Sequence, residues 1–399
     1  MNYITSRAEY NTEDEEFYVG KFVFELRSLY AHLEEVSDLR HPKGVRYRLA
    51  DVLTLILLAK MSGEDEVKGI AQWLRHRSEG LVEMLGLPRK TMPHETTLSR
   101  ILGLGIDEDE LERILQRYFD GRVQASGDEV ITIDGKTMRG TLPSGKGVHL
   151  LAAYQPQEGV VLMQVEVGAK ENEITAAPKL LKQLDLRGKV VVGDAMHTQR
   201  QVSRDIVRAG GDYVWTAKGN QPGVEEAIRH LFSEEKRSPG FALTPTDFQT
   251  AETVGKGHGR LEKRAITTSS MLKDYLDWPY LEQVFKLDRR MIDLKTGEVK
   301  EETVYGLTSL SPEKAAPARL LQLNRGYWAI ENGLHYRRDV SLKEDRCRLR
   351  IGHAARVMAT INNLVLALIH KQDAASIPAA RRKFAAHPVK ALNLIMRQP

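Results

Sequence analysis

One cysteine, Cys347, stands among 399 residues. No disulfide can close within a single chain and no cysteine-rich zinc site can be built. Such usage fits a reducing cytosol. Long apolar runs are missing as well: the densest, at 52–59, falls far short of the roughly 20 residues that span a bilayer. Residues 1–16 are polar and acidic, unlike a signal peptide. There is no internal repeat and no low-complexity tract. The expectation is a soluble cytoplasmic protein with no membrane partner.

The composition itself is that of a globular chain, 42% hydrophobic and 28% charged, and long enough for two or three domains. Net charge is only +4. From Arg337 onward, however, thirteen lysines and arginines face four acidic residues. That skew favours a phosphate backbone as partner, and a solvated helical surface is the alternative.

Residues 1–125 predict a helical domain. Phe22, Phe24, Leu26, Leu29 and Leu33 suit a first helix, and 48–60 is a dense apolar one. Val67, Ile70, Ala71 and Leu74 share one face over 66–76, and 96–102 and 107–118 follow after Pro88 and Pro93. As a helix-turn-helix, 66–76 comes first and 94–102 is the reader, with Thr96, Thr97, Ser99 and Arg100 turned to DNA. A plain packing unit is the alternative.

The pattern changes at Glu129. Strands are predicted at 130–134, 147–154 and 159–167, a helix at 174–184 and a strand at 189–193. A helix at 197–209, ended by Gly210-Gly211, leads to a strand at 212–217. This is the order of an α/β ribonuclease H-like core with a mixed sheet, assigned to 126–220 and 311–371. A short helix at 224–231 and strands at 248–254, 259–266, 282–294 and 298–307, the last two joined at Thr296-Gly297, make 221–310 a β-rich insertion. Helices return at 325–336 and 354–370, and 372–399 reads as a loosely ordered basic tail.

Phosphodiester chemistry needs charge neutralised on nonbridging oxygens and an activated water or 3′-hydroxyl, a task suited to paired Mg²⁺ ions on carboxylates. Asp134 ends an apolar strand ahead of Gly135-Lys136, though Asp-Gly is also a turn signal. Asp194 ends Val190-Val191-Val192-Gly193, where it can equally cap the next helix. Glu331 lies beside the Tyr327, Ile330 and Leu334 stripe, where carboxylates are ordinarily surface groups. In a ribonuclease H-like sheet the two aspartate strands are neighbours.

Several longer stretches carry a resemblance. They are Ile131-Thr132-Ile133-Asp134-Gly135-Lys136-Thr137-Met138-Arg139-Gly140, Lys170-Glu171-Asn172-Glu173-Ile174, Asp194-Ala195-Met196-His197-Thr198-Gln199 and Lys218-Gly219-Asn220-Gln221. Trp328-Ala329-Ile330-Glu331-Asn332-Gly333-Leu334-His335-Tyr336 follows, then Asp339-Val340 and Glu344-Asp345. In these the chain resembles the H-repeat-associated group of insertion-sequence transposases within the DDE superfamily, from about Asp38 to His370. The resemblance implies Asp134, Asp194 and Glu331 as catalytic metal ligands for Mg²⁺, with Mn²⁺ able to substitute. It implies cleavage at transposon ends and strand transfer into target DNA. Double-stranded DNA is the partner, a homodimer or larger synaptic assembly the working form, and the nucleoid the place. Related enzymes carry an arginine where Tyr327 stands and a tyrosine where Asn324 stands, whereas the basic residue after the glutamate is kept as Arg338.

Lys136, Arg139, Lys218 and Arg338 are candidate phosphate contacts, and Asn220 and Gln221 candidate base or sugar contacts. His197 either orients the nucleophile or is structural. Trp215 and Trp328 are expected in the core. Glu173 and Asp339 either support the metal ligands or serve as a helix cap and a surface charge. A nuclease that cleaves without joining, and a domesticated DNA-binding protein, are the competing functions.

Overall fold

The computed structural model describes residues 10–11, 16–19, 22–25, 27–120, 129–141, 147–233, 246–257, 259–372 and 374–397. It begins with three short antiparallel strands, β1 (Tyr10–Asn11), β2 (Glu16–Val19) and β3 (Phe22–Glu25). The helix expected from Phe22 therefore starts only at Leu29, as α1 (Leu29–Glu34), capped by the Ser28 hydroxyl.

α2 (Leu49–Met61) is buried along its whole length, as its unbroken apolar run requires. α3 (Val67–His76), α4 (Ser78–Leu85), α5 (Glu95–Leu104) and α6 (Glu108–Asp120) complete this region. The expected helix-turn-helix is corrected here. α4, whose Leu81 and Leu85 are buried and whose end is turned by Gly86 at φ +56°, separates α3 from α5. The two are packed together but are not joined by a short turn.

Strands β4 (Val130–Met138), β5 (Val148–Gln155) and β6 (Val160–Glu166) form an antiparallel meander. Two crossovers follow, through α7 (Glu173–Leu181) to β7 (Val190–Gly193) and through α8 (Arg200–Arg208) to β8 (Asp212–Ala217). β4, β7 and β8 pair in parallel. After α9 (Pro222–Leu231) come β9 (Gln249–Gly257), β10 (Arg260–Ser269), β11 (Gln283–Asp293) and β12 (Val299–Thr308), all antiparallel. β12 pairs with β8, so the β-rich segment extends the same sheet. The order across nine strands is β6-β5-β4-β7-β8-β12-β11-β10-β9.

Both faces of the sheet centre are covered. Ile131, Ile133, Val191, Tyr213 and Trp215 join one apolar cluster, and Val130, Val190, Val192 and Val214 join another, as alternation along a strand dictates. α10 (Pro317–Gly326) supplies Leu320, Leu321 and Leu323 to the second cluster. It runs on into α11 (Trp328–Ile330), which packs against β4.

α12 (Ala354–His370) is buried except at its last residue and touches both the N-terminal helices and strands β5 and β6. Its polar side chains find buried partners: the Asn362 amide donates to Glu344 (2.7 Å), and the Asn363 amide to Gln164 (3.0 Å). The expected loose tail is also corrected. α13 (Ile377–Ala386) and α14 (Pro388–Met396) pack on α2 through Ile377, Phe384, Leu392 and Ile395. Arg381 is buried there, its guanidinium donating to the Lys60 carbonyl (3.0 Å) and pairing with Asp65 (2.6 Å). Trp215 is buried as expected, with its indole N–H on Ser203 (3.0 Å), but Trp328 is 47% exposed. Among the described residues no helix is long and apolar enough to cross a membrane.

Candidate active site

The parallel ladder between β4 and β7 ends at Ile133 opposite Gly193. Asp134 and Asp194 therefore leave that ladder side by side. β4 does not stop at Asp134, as the sequence suggests, but continues to Met138 paired with β5, Asp134 opposite Ala152. Gly135 is thus a mid-strand glycine. A Cβ built on it would lie 2.2 Å from Glu173 Oε1, so its bare backbone is what admits that carboxylate. Asp194 starts a 3-10 turn, Ala195–His197, and accepts the Ala195 N–H at 2.6 Å; it caps this turn and not the following helix α8, whose N-cap is Gln199. The Asn220 amide donates to the Ala195 carbonyl (2.5 Å) and Gln221 to the Thr198 carbonyl (2.9 Å), so both brace the segment behind Asp194.

Glu331 arrives from the far side of the sequence. At this residue the helix widens to a π-helix, Glu331–His335, with the Tyr336 N–H bonded to the Glu331 carbonyl, and a second π segment spans Arg337–Ser341. Such insertions are rare and recur at functional sites. One side-chain donor each from Asp134, Glu331 and His335 lie within 4.8 Å of one another. His335 Nδ1 is 3.4 Å from Asp134 Oδ2 and 3.5 Å from Glu331 Oε2. Asp194 stands outside that tightest group. Its charge, with those of Asp134, Glu331 and Glu173, nevertheless converges on the Tyr327 hydroxyl; burial first, then these carboxylates, push the Tyr327 pKa upward. Glu331 is the open member, with its side chain 58% exposed.

A fourth carboxylate stands behind Asp134. Glu173 opens α7, whose N-terminus carries a capping box between Asn172 and Thr175. Glu173 bonds His149 Nε2 at 2.9 Å, and Thr137 holds the other ring nitrogen at 2.7 Å. Its second oxygen is 3.3 Å from the fully buried His197. Burial alone would raise the Glu173 pKa, but the hydrogen bonds and charge of His149 and His197 hold it at about 2. Asp134 moves the other way, up to about 7, through burial and then the fixed charge of Glu173. His335 falls to about 3 through burial and then the nearby Arg338 and Lys136, which leaves its imidazole neutral. Sequence reasoning did not single out His149 or His335. The i, i+4 spacing of Glu331 and His335 was the available signal.

Two candidate phosphate contacts are corrected by their positions. Arg338 is fully buried: its Nε lies 2.8 Å from each Glu344 oxygen and its Nη2 2.7 Å from Glu344 Oε1. Lys136 is 9% exposed and turns inward to Asp339 Oδ2 at 2.5 Å, tying β4 to the helix that bears Glu331. Neither is free for DNA. Arg139 is open, with its side chain 83% exposed. Lys218 and Asn220 are exposed on the turn after β8, and Thr96, Thr97 and Arg100 on α5.

Comparison with known families and proteins agrees with the resemblance. The model described as "Transposase DDE domain" matches residues 125–368, and "DDE_Tnp_1-associated" matches 30–119. A protein named "Putative transposase YncI" from Escherichia coli O157:H7 is 30% identical, over 90% of this chain and 92% of that protein. "H repeat-associated putative transposase YhhI" from Escherichia coli K12 is 28% identical, over 86% of this chain and 91% of its own length. Among solved structures, a chain from a cryo-EM structure of a piggyBac transposase synaptic complex with hairpin DNA matches with a TM-score of 0.42 and 11% identity. It covers 92% of this chain and 77% of that one, a likeness too low to carry an argument.

Proposed function

The chain belongs to the DDE transposase family, and on that premise we propose that Asp134, Asp194 and Glu331 are the carboxylates with which it cuts and joins DNA. The observation that carries this is the convergence of side chains from distant parts of the chain. Parallel register sets Asp134 beside Asp194, and α11 returns Glu331 to within 4.8 Å of Asp134. The order β4-β5-β6-α7-β7-α8-β8 supports a ribonuclease H-like core as the scaffold.

The donor set fits divalent cations. Hard oxygen ligands suit Mg²⁺ or Mn²⁺, and the Asp134 pKa is held up at about 7 by burial and then by Glu173, a cost that a bound cation offsets. Asp134 would face both neighbours, Asp194 on one side and Glu331 on the other. Bound ions there would neutralise nonbridging phosphate oxygens and activate a water or a 3′-hydroxyl. The residues of the chain do the rest. Glu173, fixed by His149, keeps negative charge behind Asp134; that charge opposes ionisation of Asp134 in the empty site and attracts a cation to it. The Lys136–Asp339 pair holds the Glu331 helix against β4. Exposed Glu331 opens the site to a polymer, and Arg139, Lys218, Asn220, Thr96, Thr97 and Arg100 are the surface groups offered to DNA.

The reaction is cleavage at transposon ends followed by attack of the freed 3′-hydroxyl on target DNA. A homodimer or larger assembly would hold the two ends, at the nucleoid. The test is incubation of end-bearing DNA and a labelled target with Mg²⁺. Joined products support a transposase, whereas cleavage without joining supports the nuclease reading.

A further inference from the structure

We propose that His335 is itself a metal ligand, sharing one cation position with Asp134 and Glu331. The inference rests on reading those two carboxylates as metal ligands and adds a nitrogen to their site. Three observations carry it. The His335 residue is only 5% exposed, and its Nε2 has no hydrogen-bond partner. Because no protein group holds Nε2, the tautomer is not fixed from that side and Nδ1 can present its lone pair. Its Nδ1 faces one oxygen of each carboxylate, at 3.4 and 3.5 Å. Those separations are too long for hydrogen bonds, which run about 2.7–3.2 Å for N–H···O. Two ligands each about 2.1 Å from one ion lie about 3.4 Å apart on a tetrahedral centre and about 3.0 Å apart on an octahedral one, so a shared ion needs at most a small closing of the group. Finally, the π-helical turn sets Glu331 and His335 side by side, and the fold brings that turn to Asp134 on β4.

A neutral imidazole changes what the site prefers. Imidazole nitrogen suits Mn²⁺, Co²⁺ and Zn²⁺ better than it suits Mg²⁺, which favours oxygen. The position holding His335 should therefore discriminate among divalent ions more sharply than a site of carboxylates alone.

The full-length protein loaded with Mn²⁺ tests this by pulsed electron paramagnetic resonance, which detects nitrogen coordinated to the ion. Wild type should show ¹⁴N modulation, replaced by the ¹⁵N pattern when histidine alone is labelled with ¹⁵N. His335→Gln should lose the signal and bind Mn²⁺ about tenfold or more weakly. The labelling arm needs no variant, so it stands even where the substitution impairs folding. No nitrogen modulation in wild type, or a nitrogen signal that persists in His335→Gln, overturns the proposal. Asp134→Ala separates the two levels. Loss of Mn²⁺ binding there, without nitrogen modulation in wild type, leaves the carboxylate site standing and removes His335. Undiminished Mn²⁺ binding in Asp134→Ala removes the site and the proposal together.

Discussion

Glu173 occupies the space that a side chain on Gly135 would need, its Oε1 lying 2.2 Å from where that Cβ would sit. Because His149 holds the carboxylate at 2.9 Å, it cannot simply swing away. Gly135→Ala should cost about 1–3 kcal/mol, the usual range for overpacking. The check is the urea midpoint, and an unchanged midpoint would show that Glu173 is not held there.

Burial, and then the same Glu173 charge, make the apo site pH-sensitive. With a folded pKa of about 7 against an ordinary 3.8, Asp134 binds its proton more tightly in the folded protein. The cost of ionising it is absent in acid, grows as pH rises from about 4 to 7, and is constant above. In full it is on the order of 4 kcal/mol. Asp134→Asn, which cannot ionise, should thus be more stable than wild type at pH 8 and less so relative to it at pH 5, with metal absent. Mn²⁺ should raise the melting temperature of wild type and not of the variant. A pH-independent difference between the two would contradict this account.

Arg338→Ala should destabilise the protein by about 3–5 kcal/mol, because it strands a buried Glu344. Chemical denaturation reads this directly. A variant of wild-type stability with weakened DNA binding would instead restore Arg338 to the interface.

What the sequence disclosed, and what it did not, follows from how far apart the interacting groups are. The segment 354–370 reads as a helix, and it is one; that it is buried does not read from Arg356, Thr360, Asn362 and Asn363, whose partners lie elsewhere in the chain. The strand before Asp194 reads from Val190, Val191 and Val192, and it lies beside the Asp134 strand as expected. Arg338 misled because a charge says nothing of its depth; only the approach of Glu344 shows it to be internal. Trp328 misled in the opposite sense: its apolar ring is half exposed, with the Arg289 guanidinium 5.5 Å above it. The basic C-terminus read as a tail because its arginines hide the period of Ile377, Phe384, Leu392 and Ile395. Nothing local in the sequence brings Glu331 to Asp134, since that contact depends on the whole sheet and on the π-helical turn.

Arg139 is the cleanest surface probe near the site. Arg139→Ala should leave the melting temperature unchanged and reduce the slope of log affinity against log salt by about 1, as loss of one phosphate contact requires. Salt-dependent DNA binding measures it. An unchanged slope would place the DNA path elsewhere.

The most direct test of the central claim is single-turnover cleavage of end-bearing DNA in Mg²⁺ by wild type and by Asp194→Ala. Asp194 is the carboxylate outside the tight Asp134, Glu331 and His335 group, so it tells a three-carboxylate site from a smaller one. The predicted result is a rate about a thousandfold lower or worse, with DNA binding retained, since a lost metal ligand forfeits several kcal/mol of transition-state stabilisation. Cleavage by Asp194→Ala at the wild-type rate would contradict the account.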